Sequence, residues 1–225
     1  MSRRTFPKRS MLALATVIGM TFFAAAVTAG KARLRLDLES FRIVSSESGP
    51  VNYFRRVQTA EGAFIRASYE PPLKTAVLGY EIPEPYRKGA NTLSWRWRAQ
   101  ALPRGANECV SDKSDSAAVV YVTWRRGLRW YSLKYVWSSS LPKGTVCEKK
   151  RNLFRAQDTI VLESGGPLNR WKAVKLDAQA EFRRHFEEGD PSASVPPLVG
   201  IGLMSDGDQT HSRSSADYAD FVIGR

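Results

Sequence analysis

Asp206 and Asp208 stand two apart around a glycine, just after an apolar stretch, Val199 to Met204, that reads as a buried strand. Carboxylates on a loop at the edge of a sheet are a common way to hold calcium, which asks for about six to eight oxygens. Asp217 and Asp220, on the last apolar stretch, can add to them, and calcium is the one cofactor the residues suggest. Asp-Gly-Asp is equally an ordinary turn, because both residue types tolerate turn dihedrals. A second group is cationic and aromatic. Arg96 and Arg98 share one side of a strand, and if the strand carrying Trp130 and Lys134 packs beside it, the four form a ligand-binding surface. Its guanidinium groups suit the carboxylate of an acidic sugar, and its indole suits the sugar's apolar ring face. The competing reading is a solvated face whose arginine stems cover the sheet.

Catalytic chemistry has less to stand on. His185 follows Glu181 by four residues, a spacing that gives a stabilising pair on a helix surface. His211 follows the Asp-Gly-Asp turn and is a lone histidine among serines. The chain carries no Gly-x-Ser-x-Gly elbow, His-Glu-x-x-His, phosphate loop or dinucleotide fingerprint, so serine-hydrolase, zinc and nucleotide chemistries lose their support. The acids of a polysaccharide hydrolase or lyase need not be close in sequence, which keeps Asp115, Asp206 and Asp208 as candidates for that role.

The elements that must position these residues are strands. In Leu93-Ser94-Trp95-Arg96-Trp97-Arg98-Ala99 the apolar residues alternate with polar ones, so the tryptophans point inward and the arginines outward. Ala117 to Trp124 is apolar on both sides, as a central strand would be. It runs through Arg125-Arg126-Gly127 into Leu128 to Trp137, the clearest hairpin in the chain. There Tyr131, Leu133, Tyr135 and Trp137 share one face, and Trp130, Ser132 and Lys134 the other. Further short strands are expected at 34–38, 41–44, 53–57, 63–69, 76–82, 159–163, 171–176, 199–204 and 218–223. Proline and glycine clusters separate many of them. One helix is expected over 178–188, from Phe182 and Phe186 at i and i+4 with Asp177 as its cap. The fold class that follows is all-β with one short helix, an antiparallel jelly-roll-like sandwich.

Arg3, Arg4, Lys8 and Arg9 precede an uncharged, largely apolar stretch from Met11 to Ala29, the pattern of a secretory signal. Ser2-Arg3-Arg4-Thr5-Phe6-Pro7-Lys8 resembles a twin-arginine export signal, with Pro7 where a leucine is usual. Cleavage after Ala26 or Ala29 satisfies the small-residue rule; an uncleaved anchor is the alternative. Residues 1–29 are therefore expected to be a signal segment and 30–225 a single sandwich domain, periplasmic or secreted, with no membrane span once the signal is removed. Losing the four signal cations lowers the formal net charge from +12 to +8. In that compartment the counterparts of a basic domain are lipid phosphates, acidic polysaccharides and other anionic envelope polymers rather than nucleic acid. Cys109 and Cys147 are the only cysteines, and an oxidising compartment favours their pairing as a disulfide.

Three segments resemble a bacterial family catalogued as a domain of unknown function, number 3047. They are Leu93–Arg98 with Leu102-Pro103, Asp115–Val122, and Gly200–Thr210 with Ala216–Phe221. Many members of that family carry paired aspartates where this chain has Asp115-Ser116, and an asparagine where it has Gln209. The resemblance implies the fold and boundaries but no activity. The strand order is also similar to that of jelly-roll carbohydrate-binding modules, an analogy of fold. Export, strand pattern, arginine and tryptophan surplus and missing catalytic motifs together point to a non-catalytic envelope domain for a carbohydrate or anionic envelope component. A polysaccharide-active enzyme or a structural, partner-binding periplasmic protein is the alternative.

Overall fold

A computed structural model describes Met1 and residues 32–46 and 52–225. The expected signal segment, Met1 apart, lies outside the described residues. Lys31–Arg225 forms a compact unit that contains every described strand and core side chain.

In chain order the strands are β1 (Arg33–Arg35), β2 (Arg42–Ser46), β3 (Phe54–Thr59), β4 (Gly62–Tyr69), β5 (Ala76–Glu81), β6 (Thr92–Ala101) and β7 (Ala118–Arg126). They continue with β8 (Arg129–Ser138), β9 (Val146–Arg151), β10 (Arg155–Ser164), β11 (Lys172–Asp177), β12 (Leu198–Met204) and β13 (Ser214–Gly224). A single turn, α1 (Glu84–Arg87), follows β5, and α2 (Ala178–Phe186) follows β11. The first sheet runs β11-β6-β13-β4-β3, with β1 also on β13; the second runs β2-β5-β12-β7-β8-β10-β9. The two face each other as a sandwich of largely antiparallel, jelly-roll-like strands. The exception is β10, which lies parallel to β8.

Alternation decides which side of each sheet is dry. Leu93, Trp95, Trp97 and Ala99 on β6 are at most 1% exposed. Across from them Tyr131, Leu133, Tyr135 and Trp137 on β8 enter the same core. Trp97 packs edge-on against Trp137, while Trp95 meets Tyr135 at a tilt and stacks on Phe221, contacts that add to the burial of the rings themselves. Helix α2 closes one side of the core. Asp177 caps it, accepting from the N–H groups of Gln179 and Ala180, and Phe182 meets Trp124 and Tyr131. It ends at Phe186, two residues short of expectation, because Glu188 and Gly189 take left-handed conformations (φ 53° and 81°) that a helix cannot continue through.

Three elements were not expected from the pattern. A 3-10 turn over Leu38–Ser40, with the Asp37 side chain accepting from the Glu39 N–H, cuts the strand expected over 34–38 back to β1. Strand β9, Val-Cys-Glu-Lys-Lys-Arg, is an edge strand, and its run of charges hides any alternation. The turn α1 starts beside Pro83 and carries no apolar periodicity to reveal it.

Candidate functional site

The outer face of the second sheet is built by the side chains that alternation turns away from the core. Register places them in rows across the strands. One row is Glu81, Gly200, Thr123, Ser132 and Gln157 on β5, β12, β7, β8 and β10. Glu81 is exposed and the other four are half-buried, a strip of small and polar groups. Five strands at roughly 4.8 Å spacing make it about 19 Å long. The hydroxyls of Thr123 and Ser132 lie 3.2 Å apart. On one side of this strip the next row is Arg125, Trp130 and Arg155. Trp130 is 42% exposed, with the Arg125 guanidinium 4.9 Å from its ring centre. On the other side the row is Gly79, Gly202, Tyr121, Lys134 and Thr159. A β-carbon on Gly202 would sit 3.1 Å from Val77 and 3.3 Å from Tyr121, so the surface is low beside the tyrosine ring.

The Lys134 end of that row is roofed. Cys147 on β9 pairs with Thr159 and is disulfide-bonded to Cys109, and the Lys134 ammonium reaches the Ser114 carbonyl at 3.5 Å. The segment between Cys109 and Ser114 therefore covers Lys134 and Thr159, which are 5% and 0% exposed. Buried Glu108 anchors the roof, accepting from the hydroxyls of Ser116 and Ser138.

Beside the roof lies a carboxylate cluster. Strands β7 and β12 are antiparallel with Val119 opposite Met204, so the residues just before β7 meet those just after β12. Asp115, Asp206 and Asp208 each offer an oxygen within 4.8 Å of the others. Asp115 is fully buried and held by the backbone N–H and hydroxyl of Thr210 at 2.7 and 2.6 Å. Gly207 makes the turn possible: any β-carbon there would strike the Ser212 carbonyl oxygen at 2.0 Å. Asp206 is 6% exposed, and its Oδ1 has no hydrogen-bond donor among the described residues. Burial pushes its carboxyl up to about 8; the neighbouring Lys134 charge opposes that rise, while Asp115 and a hydrogen bond with Asp208 add to it. Burial beside two other carboxylates thus favours the neutral, protonated form of Asp206.

Sequence reasoning joined Arg96, Arg98, Trp130 and Lys134 on one face, and the structure separates them. Trp130 and Lys134 are on the second sheet, Arg96 and Arg98 on the outer face of the first. The arginines are also engaged. Asp217, with a fully buried side chain, accepts from Arg66 and Arg98 at 2.7 Å each and from Gln100 at 2.7 Å. Asp220 takes Arg35 and Arg96, and Trp171 stacks on Arg98 at 4.5 Å and Arg96 at 5.0 Å. Asp217 and Asp220, three apart, share this face only because a bulge between Ala219 and Val222 shifts the register, with Asp220 at φ 56°. They are therefore counter-ions of arginine and stand on the other sheet from Asp206 and Asp208, where Asp115 is the third carboxylate instead.

Of the histidines, His211 is exposed in a left-handed position (φ 50°). His185 does more than pair along its helix: its Nδ1 lies 2.8 Å from buried Asp158 on β10, tying α2 to the second sheet. The polar strip itself went unnoticed because threonine, serine, glycine and glutamine carry no chemical signature in sequence. The part of it that sequence carries is Ser132, which shares the parity of Trp130, with Thr123 opposite it across the hairpin.

Residues 52–222 match the model of a family described as "Protein of unknown function (DUF3047)". No curated protein matches the sequence. Among solved structures the chain is similar to a family 11 carbohydrate-binding module of a cellulosomal cellulase from Clostridium thermocellum, with TM-score 0.46 and 11% identity over 87% of this chain and 95% of that one. It is similar to the xyloglucanase domain of a type three effector from Sinorhizobium fredii, with TM-score 0.44 and 10% identity over 85% and 97%. It is also similar to a family GH12 endoglucanase from Trichoderma harzianum, with TM-score 0.39 and 10% identity over 88% and 98%.

Proposed function

Because the chain belongs to the family of unknown function DUF3047, membership brings no activity with it, and we propose from the geometry that it is an exported, non-catalytic domain that binds an envelope polysaccharide along the outer face of its second sheet. The observation that carries this reading is the uncovered polar row Glu81–Gly200–Thr123–Ser132–Gln157 between Tyr121 and Trp130. An extended sugar chain presents hydroxyls that bond to such side chains and C–H faces that stack on aromatic rings. Arg125 and Arg155 on either side of Trp130 favour an acidic polymer. Affinity electrophoresis and calorimetry against purified neutral and acidic envelope polysaccharides test it. Binding by the wild type should weaken by about thirtyfold in Trp130→Ala, the effect of losing an aromatic anchor. It should also weaken in Gln157→Ala and stay unchanged in Arg55→Ala on the other sheet. Failure of every polymer to bind, or binding indifferent to Trp130 and Gln157, refutes it.

The raised carboxyl of buried Asp206 favours a second reading, a polysaccharide hydrolase or lyase with Asp206 as general acid. Against it, the carboxylates offer oxygens within 4.8 Å of one another, which crowds a glycosidic bond between them, whereas glycosidase pairs stand about 5 Å or more apart. Sugar release that Asp206→Asn abolishes would establish the enzyme instead.

A further inference from the structure

We propose that the two turns at one end of β8 and β10 form a tip that docks on an anionic lipid bilayer. The parallel pairing of these strands puts both of their starting points at the same end of the sheet, so the turns that precede them are neighbours. The Trp130 N–H donates to the Phe154 carbonyl at 2.8 Å. Both turns are formed rather than loose. Arg126 pairs with Arg129 around Gly127-Leu128, with Gly127 at φ 59°. The Asn152 side chain accepts from the N–H groups of Phe154 and Arg155 at 2.9 and 2.7 Å. These turns hold Leu128, Leu153 and Phe154 out at 72%, 77% and 58% exposure.

Around the apolar residues lies positive charge. Residues 125–130 and 149–155 contain seven arginines and lysines and no acid. Arg126 is matched by Glu187 and Arg151 by Asp158. Arg125, Arg129 and Arg155 form no ion pair among the described residues; Arg125 and Arg129 instead lie over the rings of Trp130 and Tyr131.

Shape and charge together select the occupant. Three side chains on convex turns cannot supply the roughly 800 Å² a side of a stable protein interface, but they can enter the boundary between headgroups and acyl chains. Tryptophan with an apolar body and polar edge, and arginines with long stems, are the residues that settle at that boundary. The cations then meet lipid phosphates, at a distance where each strengthens attraction to an anionic leaflet.

Co-sedimentation of the Lys31–Arg225 unit with vesicles tests this, because the apolar N-terminal stretch is then absent. Vesicles of phosphatidylglycerol mixed with phosphatidylcholine should bind the protein, and phosphatidylcholine alone should bind it far less. Leu153→Ser with Phe154→Ser should lower partitioning by about tenfold or more, Arg155→Glu by about fivefold or more, and added salt should weaken it further. All three side chains are exposed, so near-ultraviolet circular dichroism should report an unchanged tryptophan core. Equal binding to both vesicle types refutes the proposal, as does binding that survives the double substitution. So does finding that the double substitution abolishes self-association of the protein while vesicle binding was never present. Leu153 and Phe154 lie outside the polar row whereas Arg155 flanks it, so the double substitution is the arm that separates lipid docking from the polysaccharide reading.

Discussion

Replacing Asp206 with asparagine should make the protein more stable at neutral pH. Asp206 ordinarily would ionise near 3.8, but in the fold its carboxyl is pushed up to about 8. Between these values the folded chain keeps a proton that the unfolded chain has released, so stability falls as pH rises through that window. The slope from this group is about 1.4 kcal/mol per pH unit. From about pH 5 to pH 7 the wild type therefore loses about 2.7 kcal/mol through Asp206. Asparagine is neutral throughout, and its amide can donate to Asp208 as the protonated acid does. The two proteins should be close in stability only below about pH 4. Between about pH 5 and pH 7 the variant should gain a further amount of about 2 to 3 kcal/mol on the wild type, a large fraction of a typical domain's stability. Urea unfolding of both proteins across this range, in chelator and with the disulfide intact, measures the difference directly. A difference that does not change with pH, or one that grows in favour of the wild type, would mean that Asp206 is ionised in the fold.

Calcium should compete with the Asp206 proton, so millimolar calcium should lessen the wild type's loss of stability toward pH 8; identical melting profiles in calcium and chelator would remove the cation reading of the three carboxylates. Breaking the Cys109–Cys147 bond by serine substitution should cost about 4 kcal/mol, from the 38-residue separation it closes, and should expose Lys134 to amine-reactive labelling that the intact protein resists. Asp217→Ala strips Arg66, Arg98 and Gln100 of a buried partner and should cost about 3 kcal/mol in urea unfolding, whereas an effect under about 1 kcal/mol would show the network to be solvent-screened. Trp97→Ala should cost about 3 to 5 kcal/mol and flatten the near-ultraviolet dichroism, because the ring it removes is fully buried against Trp95 and Trp137.

What local chemistry could dictate was legible in the residues. The inward tryptophans and outward arginines of β6, the two faces of β8, the cap at Asp177 and the Asp-Gly-Asp turn all follow from side-chain periodicity and dihedral preference, which act within a few residues. Which strands lie side by side does not follow from these, because pairing joins distant segments whose alternation is alike. That decision sent Arg96 and Arg98 to one sheet and Trp130 and Lys134 to the other. It brought Asp115 to Asp206 through the register of β7 and β12, and by a single bulge it put Asp217 and Asp220 on a common face. It also laid β10 parallel to β8, which is why the polar row is continuous there and why two exposed turns meet at one end. Side-chain parity is a property of one strand; a site is a property of several, and only the tertiary hydrogen-bond register sets how their parities combine.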